Sequence, residues 1–346
     1  MERPDLSQID PEIRKYIEYL EKKLGLSDQE LSLSLNSIDL ERRELPAEPE
    51  TSSCIVTISN LGNGKRTYRH LYSRQHRGGM GVFDLVTSPS EVPSILSAMD
   101  DGQYLILLTN KARAFRLSLA GFLPSPVHAR GSNLIEKLFF DPDEHLVAVL
   151  PEQAKGYLTL VGESGKIRCL RHHLFGERMK QGFTLFPVHE FGPLVTANWT
   201  TGDSDLLLVT RQGIGIRFSE KLISPQGDIG MKVAADDRIV AVNSVYPDSG
   251  VFVISEDGKG AIRLMRGFAP NKSPGGSGKI VMRSSCVIGA VTIDSDDELF
   301  LITRLGKIIR FMANEVPASD SPVQGVSCIA LRSDIVTALL KINPNR

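Results

Sequence analysis

Lysines and arginines recur along this chain just after short polar turns. They fall in six successive segments: Lys65, Arg66 and Arg69; Lys111, Arg113 and Arg116; Lys166, Arg168 and Arg171; Arg211 and Arg217; Lys259 and Arg263; Lys307 and Arg310. The chemistry open to such residues is charge-assisted hydrogen bonding to phosphates, which positions a polyanion without reading its bases. The bland reading is that each cation only keeps an exposed strand soluble. The first segment favours the sharper reading. Between residues 51 and 99, Lys65, Arg66, Arg69, Arg74 and Arg77 stand against two acids, Asp84 and Glu91. Gly78, Gly79 and Gly81 beside Arg77 bring backbone N–H groups that suit a phosphate. The net charge of −1 averages two regions. Residues 1–50 hold 13 acids and 7 bases, whereas residues 51–346 hold 33 bases and 28 acids, so the body is mildly basic.

Other chemistry finds little support. Cys54, Cys169, Cys286 and Cys328 lie far apart without a Cys-x-x-Cys pair, and read as small buried hydrophobes in a reducing compartment. Gly62-Asn-Gly64 and Gly275-Gly-Ser-Gly278 lack a nucleotide fingerprint. Adjacent His172 and His173 on a strand point to opposite faces and make poor joint metal ligands. The acids Asp294, Asp296, Asp297 and Glu298 read as a turn. A sugar-cleaving propeller would need carboxylates at its central channel. No catalytic residue, metal or cofactor is expected. No uncharged apolar run reaches 18 residues and nothing reads as a secretory leader, so a cytoplasmic, non-membrane protein is expected.

The elements that carry the cations repeat. Segments such as Leu206-Leu-Leu-Val-Thr-Arg-Gln-Gly-Ile-Gly-Ile-Arg217 and Leu299-Phe-Leu-Ile-Thr-Arg-Leu-Gly-Lys-Ile-Ile-Arg310 join an apolar strand, a turn and a basic strand. Aligning Gly64, Ala112, Gly165, Gly213, Gly258 and Gly306 gives separations of 48, 53, 48, 45 and 48 residues. A second glycine follows each turn: Gly81, Gly131, Gly182, Gly230, Gly278 and Gly325. Such a period predicts an all-β, six-bladed propeller of four-stranded blades, closed so that the sheets bury one another. The expected blades are about 54–99, 100–155, 156–202, 203–248, 249–294 and 295–342. Residues 1–40 read as an α-helical extension, with Asp10 as N-cap, Pro11 at the first helical position and an apolar stripe from Ile13 to Leu24. Residues 41–53 read as a linker. The stripe in residues 11–24 needs cover, from the body, from a second copy or from another protein.

Gln75-His-Arg-Gly-Gly-Met-Gly81 resembles the box that marks the C-terminal domain of DNA gyrase A, a β-pinwheel whose blades exchange strands. Thr109-Asn-Lys-Ala-Arg-Ala-Phe-Arg116, Ala129-Arg-Gly131, Thr210 to Phe218 and Ile302 to Phe311 resemble later blades of that family, so the likeness covers all six repeats. It implies a non-catalytic disc that binds and bends duplex DNA on a basic rim, with the box locking first blade to last. Gln75, Arg77, Gly78, Gly79 and Gly81 match the box; His76 and Met80 replace basic residues. Arg130 joins the candidate DNA-binding set with Arg74 and the segment cations. Duplex DNA and topoisomerase subunits are the expected partners, at the nucleoid. The chain opens on its own helix without the breakage-and-rejoining region, and is expected to be a separate product. His76 is expected to strengthen DNA binding as pH falls from about 8 to 6. Five to eight engaged cations predict a slope of log K against log salt of about −5 to −7. The alternative is a protein-interaction propeller that acts through its N-terminal helix.

Overall fold

The computed structural model describes residues 48–344, apart from 89 and 137. The expected helices of residues 1–40, and with them the stripe at 11–24, lie outside the described residues. From residue 53 onward the chain folds as six small, mainly antiparallel sheets, with a separate parallel pairing of Leu85–Val86 and Ala129–Arg130. In blade 4 the hairpin Asp205–Thr210 and Ile214–Ser219 carries Ile239–Val245 on one edge and Lys279–Ile280 on the other. Ile239–Val245 belongs to the same repeat, but Lys279–Ile280 comes from the next. Every blade borrows its outermost strand this way. Ser132–Asn133, Phe183–Thr184, Asp228–Ile229 and Val326–Ser327 complete blades 1, 2, 3 and 5. Val82–Phe83 crosses from repeat 1 to complete blade 6, pairing Lys307↔Phe83 and Ile308↔Val82. The ring is closed, and no blade is a contiguous block of sequence.

The first hairpin strands are near-continuous apolar runs because both of their faces are buried. Along Leu206-Leu-Leu-Val209, Leu206 and Leu208 pack with blade 3, whereas Leu207 and Val209 pack with blade 5. Six such clusters sit one at each joint; the last sets Ile55 and Leu96 of blade 1 against Phe300, Ile302 and Ile342 of blade 6. The innermost strands surround a channel of about 660 Å³, to which each contributes an alanine: Ala98, Ala148, Ala197, Ala241, Ala290 and Ala338. Its lining includes no carboxylate.

The hairpin turns place equivalent residues in the left-handed region: Ala112, Gly165, Gly213, Gly258, Gly306 and, in repeat 1, Gly62. Each donates its N–H to the carbonyl three residues earlier, as Gly62 does to Ser59 at 3.0 Å and Gly306 to Thr303 at 2.9 Å. Gly62, rather than Gly64, is therefore the turn residue of the first repeat. Gly64 serves a different need. A Cβ there would lie 2.6 Å from Leu134 Cδ1, and one on Gly131 would lie 2.8 Å from the Gly64 backbone, because the exchanged strand crosses at contact distance.

All four cysteines are free, and Cys54 and Cys328 are buried. Burial pushes the Cys54 thiol up to about 11 and those of Cys169 and Cys328 up to about 12. At pH 8 the folded ring is expected to leave these three thiols unreacted with DTNB, and denaturant to release them together. Stoichiometric reaction of the native protein within minutes would contradict this packing.

Candidate nucleic-acid interface

The structure divides the predicted cations into three groups. Lys65, Arg66, Arg69, Arg217, Arg263 and Arg310 are buried and do not reach solvent. Lys111, Arg113, Arg116, Lys166, Arg168, Arg211 and Lys307 are half-buried and committed to neighbours within the ring. Arg74, His76, Arg77, Arg130, Arg171 and Lys259 are exposed. The second hairpin strand is covered on its outer edge by the exchanged strand and on its faces by adjacent blades, so its cations point into protein. A buried charge is tolerated only with partners. A common track of hairpin cations does not form.

What these arginines do instead is fasten the blades. Arg217, 2 % exposed, pairs through Nε with Asp205 at 2.8 Å and donates to the carbonyls of Met265 and Phe268 in the next repeat at 2.8 and 3.1 Å. Arg310 grips Glu298 through Nε and NH2 at 3.0 and 2.5 Å, and donates to the carbonyl of Tyr72 at 2.9 Å. Arg66 joins Asp101 at 2.8 Å and also bonds the Phe122 carbonyl of repeat 2. Arg116 pairs with Glu152 at 2.8 Å and lies 3.3 Å from the Tyr104 ring centroid. Arg113 bonds Glu144 at 2.7 Å, and Arg211 bonds Glu256 at 2.7 Å. Lys111 donates to the Pro142 carbonyl at 2.6 Å, and Arg168 to that of Leu185 at 2.9 Å. Lys166 and Lys307 sit over the Phe191 and Phe83 rings at 5.4 and 5.2 Å.

Residues 75–81 lie at the joint between first and last blades. Gln75 N–H donates to the Arg310 carbonyl at 2.8 Å, Gly78 N–H to Cys328 O at 2.8 Å, and Ala330 N–H to Gly79 O at 2.9 Å. Arg77 donates through its own N–H to the Glu315 carboxylate at 2.9 Å and through Nε to the Glu315 carbonyl at 2.8 Å. Gln75 Oε1 accepts from Gly81 N–H at 3.2 Å, folding the loop on itself. Gly81 has φ +68°, and a Cβ there would lie 2.7 Å from Ile308 O, so only glycine fits as the chain enters blade 6. The next element is pinned by Asp84, which is wholly buried. Its Oδ1 meets Lys65 Nζ and the Tyr72 hydroxyl, each at 2.7 Å, and its Oδ2 accepts from Thr57 at 2.7 Å. Burial pulls the Lys65 ammonium below the usual lysine range, and pushes the Tyr72 phenol well above its own. The His76 ring is 98 % exposed, with Nδ1 3.2 Å from the Glu315 carboxylate.

Sequence reasoning missed the cations of the outer loops. After each hairpin the chain turns, often through a 3-10 turn such as His172–Phe175 or Met265–Gly267, and runs along the outer edge to its exchanged strand. In those runs and just beyond them Arg178, Lys180, Lys221, Lys232, Lys272 and Lys279 are exposed. With Arg74, Arg130 and Arg171 they populate repeats 1 to 5. Repeat 6 has no lysine or arginine between Ala313 and Gly325.

A strand-exchanged, six-bladed ring closed through a glycine-rich loop defines the class. The family of the DNA gyrase C-terminal domain, a beta-propeller, matches residues 55–85, 103–151, 204–245 and 297–343. DNA gyrase A of Mycobacterium leprae (strain TN) is 27 % identical over 333 residues, covering 92 % of this chain and 26 % of that protein. The same protein of Mycolicibacterium smegmatis (strain ATCC 700084 / mc(2)155) is 27 % identical over 354 residues, covering 94 % and 42 %. The solved DNA gyrase A C-terminal domain superposes with a TM-score of 0.74 at 20 % identity, over 84 % of this chain and 99 % of that one. The ring is thus a gyrase A C-terminal-like domain, and the chain spans well under half the length of these two relatives.

Proposed function

We propose that the ring binds duplex DNA along its outer edge as a non-catalytic module that holds or bends DNA for a type II topoisomerase. The observation that carries this reading is the separation of charge. Most hairpin cations are held within the protein by carboxylates, carbonyls or aromatic rings, while Arg171, Arg178, Lys180, Lys221, Lys232 and Lys272 stand exposed on consecutive outer loops, with no ion pair among the described residues. Such a surface contacts phosphates and reads shape rather than sequence. Fewer cations are available than the repeat alone suggests. Gel-shift titration of relaxed plasmid is expected to give a slope of log K against log salt of about −3 to −5, at roughly −0.9 per phosphate. Absence of binding at low salt would overturn the reading. The interaction-platform alternative rests on residues 11–24, outside the described residues; a pull-down without residues 1–50 tests it.

A further inference from the structure

The six hairpin arginines are not equally compensated. Arg66, Arg116, Arg217 and Arg310 each bond a carboxylate, and Arg168 donates to the carbonyls of Leu185 and Pro225. Arg263 in blade 5 has no such partner among the described residues. Where blades 4 and 6 open their first strand with Asp205 and Glu298, blade 5 opens with Gly250. The Arg263 side chain keeps one hydrogen bond, NH2 to the Gly267 carbonyl at 2.9 Å, and its Nε and NH1 are buried without a partner. Only 6 % of the residue is exposed.

Two further cations lie on the same stretch of chain, Arg266 on the following turn and Lys279 on the strand that completes blade 4. The Arg263 guanidinium and Lys279 Nζ lie 5.7 and 5.9 Å from the centroid of the Phe268 ring. Arg266, on the same turn, bonds Asp320 at 2.8 Å, with both side chains exposed. The Asp320 carboxylate acts through space on the Arg263 guanidinium. Its acidity is increased first by the hydrogen bond from Arg266, with a smaller part from the Arg263 field. The segment that carries Asp320 runs alongside. Ala318–Ser319 pairs with Ile262 and Arg263, and Ser321 and Val323 line a small void together with Arg263.

An uncompensated buried guanidinium costs stability, and such costs persist where binding uses the group. We infer that Arg263, Arg266 and Lys279 form a seat for one phosphate group at the outer edge of blade 5, closed in the free ring by Asp320, which the phosphate displaces from Arg266. That the phosphate belongs to duplex DNA rests on the function proposed above. The seat itself requires only the anion.

Arg263→Met and Arg217→Met, each in the full chain, test this together. Removing Arg263 is expected to leave the melting temperature unchanged or raise it by about 2 °C, whereas removing Arg217 strands Asp205 and lowers it. Inorganic phosphate at constant ionic strength is expected to stabilise wild type and not Arg263→Met. DNA affinity is expected to fall about tenfold in Arg263→Met, with the salt slope reduced by about one, and to rise in Asp320→Asn. Equal stabilisation of both proteins by phosphate, or an Arg263→Met ring as destabilised as Arg217→Met, overturns the seat. If phosphate stabilisation depends on Arg263 while wild type ignores duplex DNA, the seat stands and the DNA reading falls.

Discussion

Glu298→Gln is expected to destabilise the ring by about 3–5 kcal/mol, the range for removing one partner of a buried ion pair. Glu298 is 2 % exposed and neutralises two guanidinia, Arg310 of its own blade and Arg69 of blade 1 at 2.9 Å. Glutamine keeps the shape and removes the negative charge that both buried guanidinia share. At about 2 °C per kcal/mol for a protein of this size, thermal unfolding should move down by about 6–10 °C. The position matters as well as the energy. At the other five joints the chain itself runs from blade to blade. The joint between blades 6 and 1 is held by the two-residue pairing of Val82–Phe83, the glycine loop, the Asp84 cluster and this triad. Loss of the triad should therefore open the ring before it unfolds the blades. Scattering should report a larger radius under conditions where Asp205→Asn, at a covalently continuous joint, remains compact. If the two variants behave alike, closure does not depend on this cluster.

The repeat was readable because turns and apolar runs are local signals. Even so, Gly62-Asn-Gly64 offers two glycines for one turn. Spacing alone favours Gly64, which answers to close packing, over Gly62, which answers to backbone angle, so the first interval is 50 residues rather than 48. Burial of the cations was harder to read. A hairpin seen alone presents its second strand to solvent, and only the strand borrowed from the following repeat turns that edge into interior. One clue was present: Asp205 with Arg217 and Glu298 with Arg310 both stand twelve residues apart, the separation across these two hairpins. The outer-loop cations carried no periodic mark, since loop lengths and compositions differ between repeats. The glycine loop at 75–81 was found through its likeness to a family, and its bonds to Arg310, Cys328 and Ala330 show what it holds together here.

Reversing Arg171, Arg178 and Lys180 to glutamate should weaken duplex binding by about two to three orders of magnitude at 0.1 M salt. Each phosphate contact contributes roughly −0.9 to the salt slope, so at 0.1 M each lost contact costs close to tenfold. The three residues lie on one outer run beside the 3-10 turn His172–Phe175, exposed and without ion pairs among the described residues, so the fold should be unaffected. Reversing Lys259, already paired with Asp257 at 3.0 Å, and Arg304, both beside the hairpin turns, should change affinity little. A uniform loss in both sets would mean that net charge, not an outer path, governs binding. The path is also unequal around the ring. Repeat 6 offers Glu315 and Asp320 where other repeats offer lysine or arginine, so a duplex following the edge meets repulsion there and has to depart. A photo-crosslinker on Ser273→Cys in repeat 5 should capture DNA, and one on Asn314→Cys in repeat 6 should not. Equal capture would indicate a path that continues across the closing joint, held there by groups other than exposed cations.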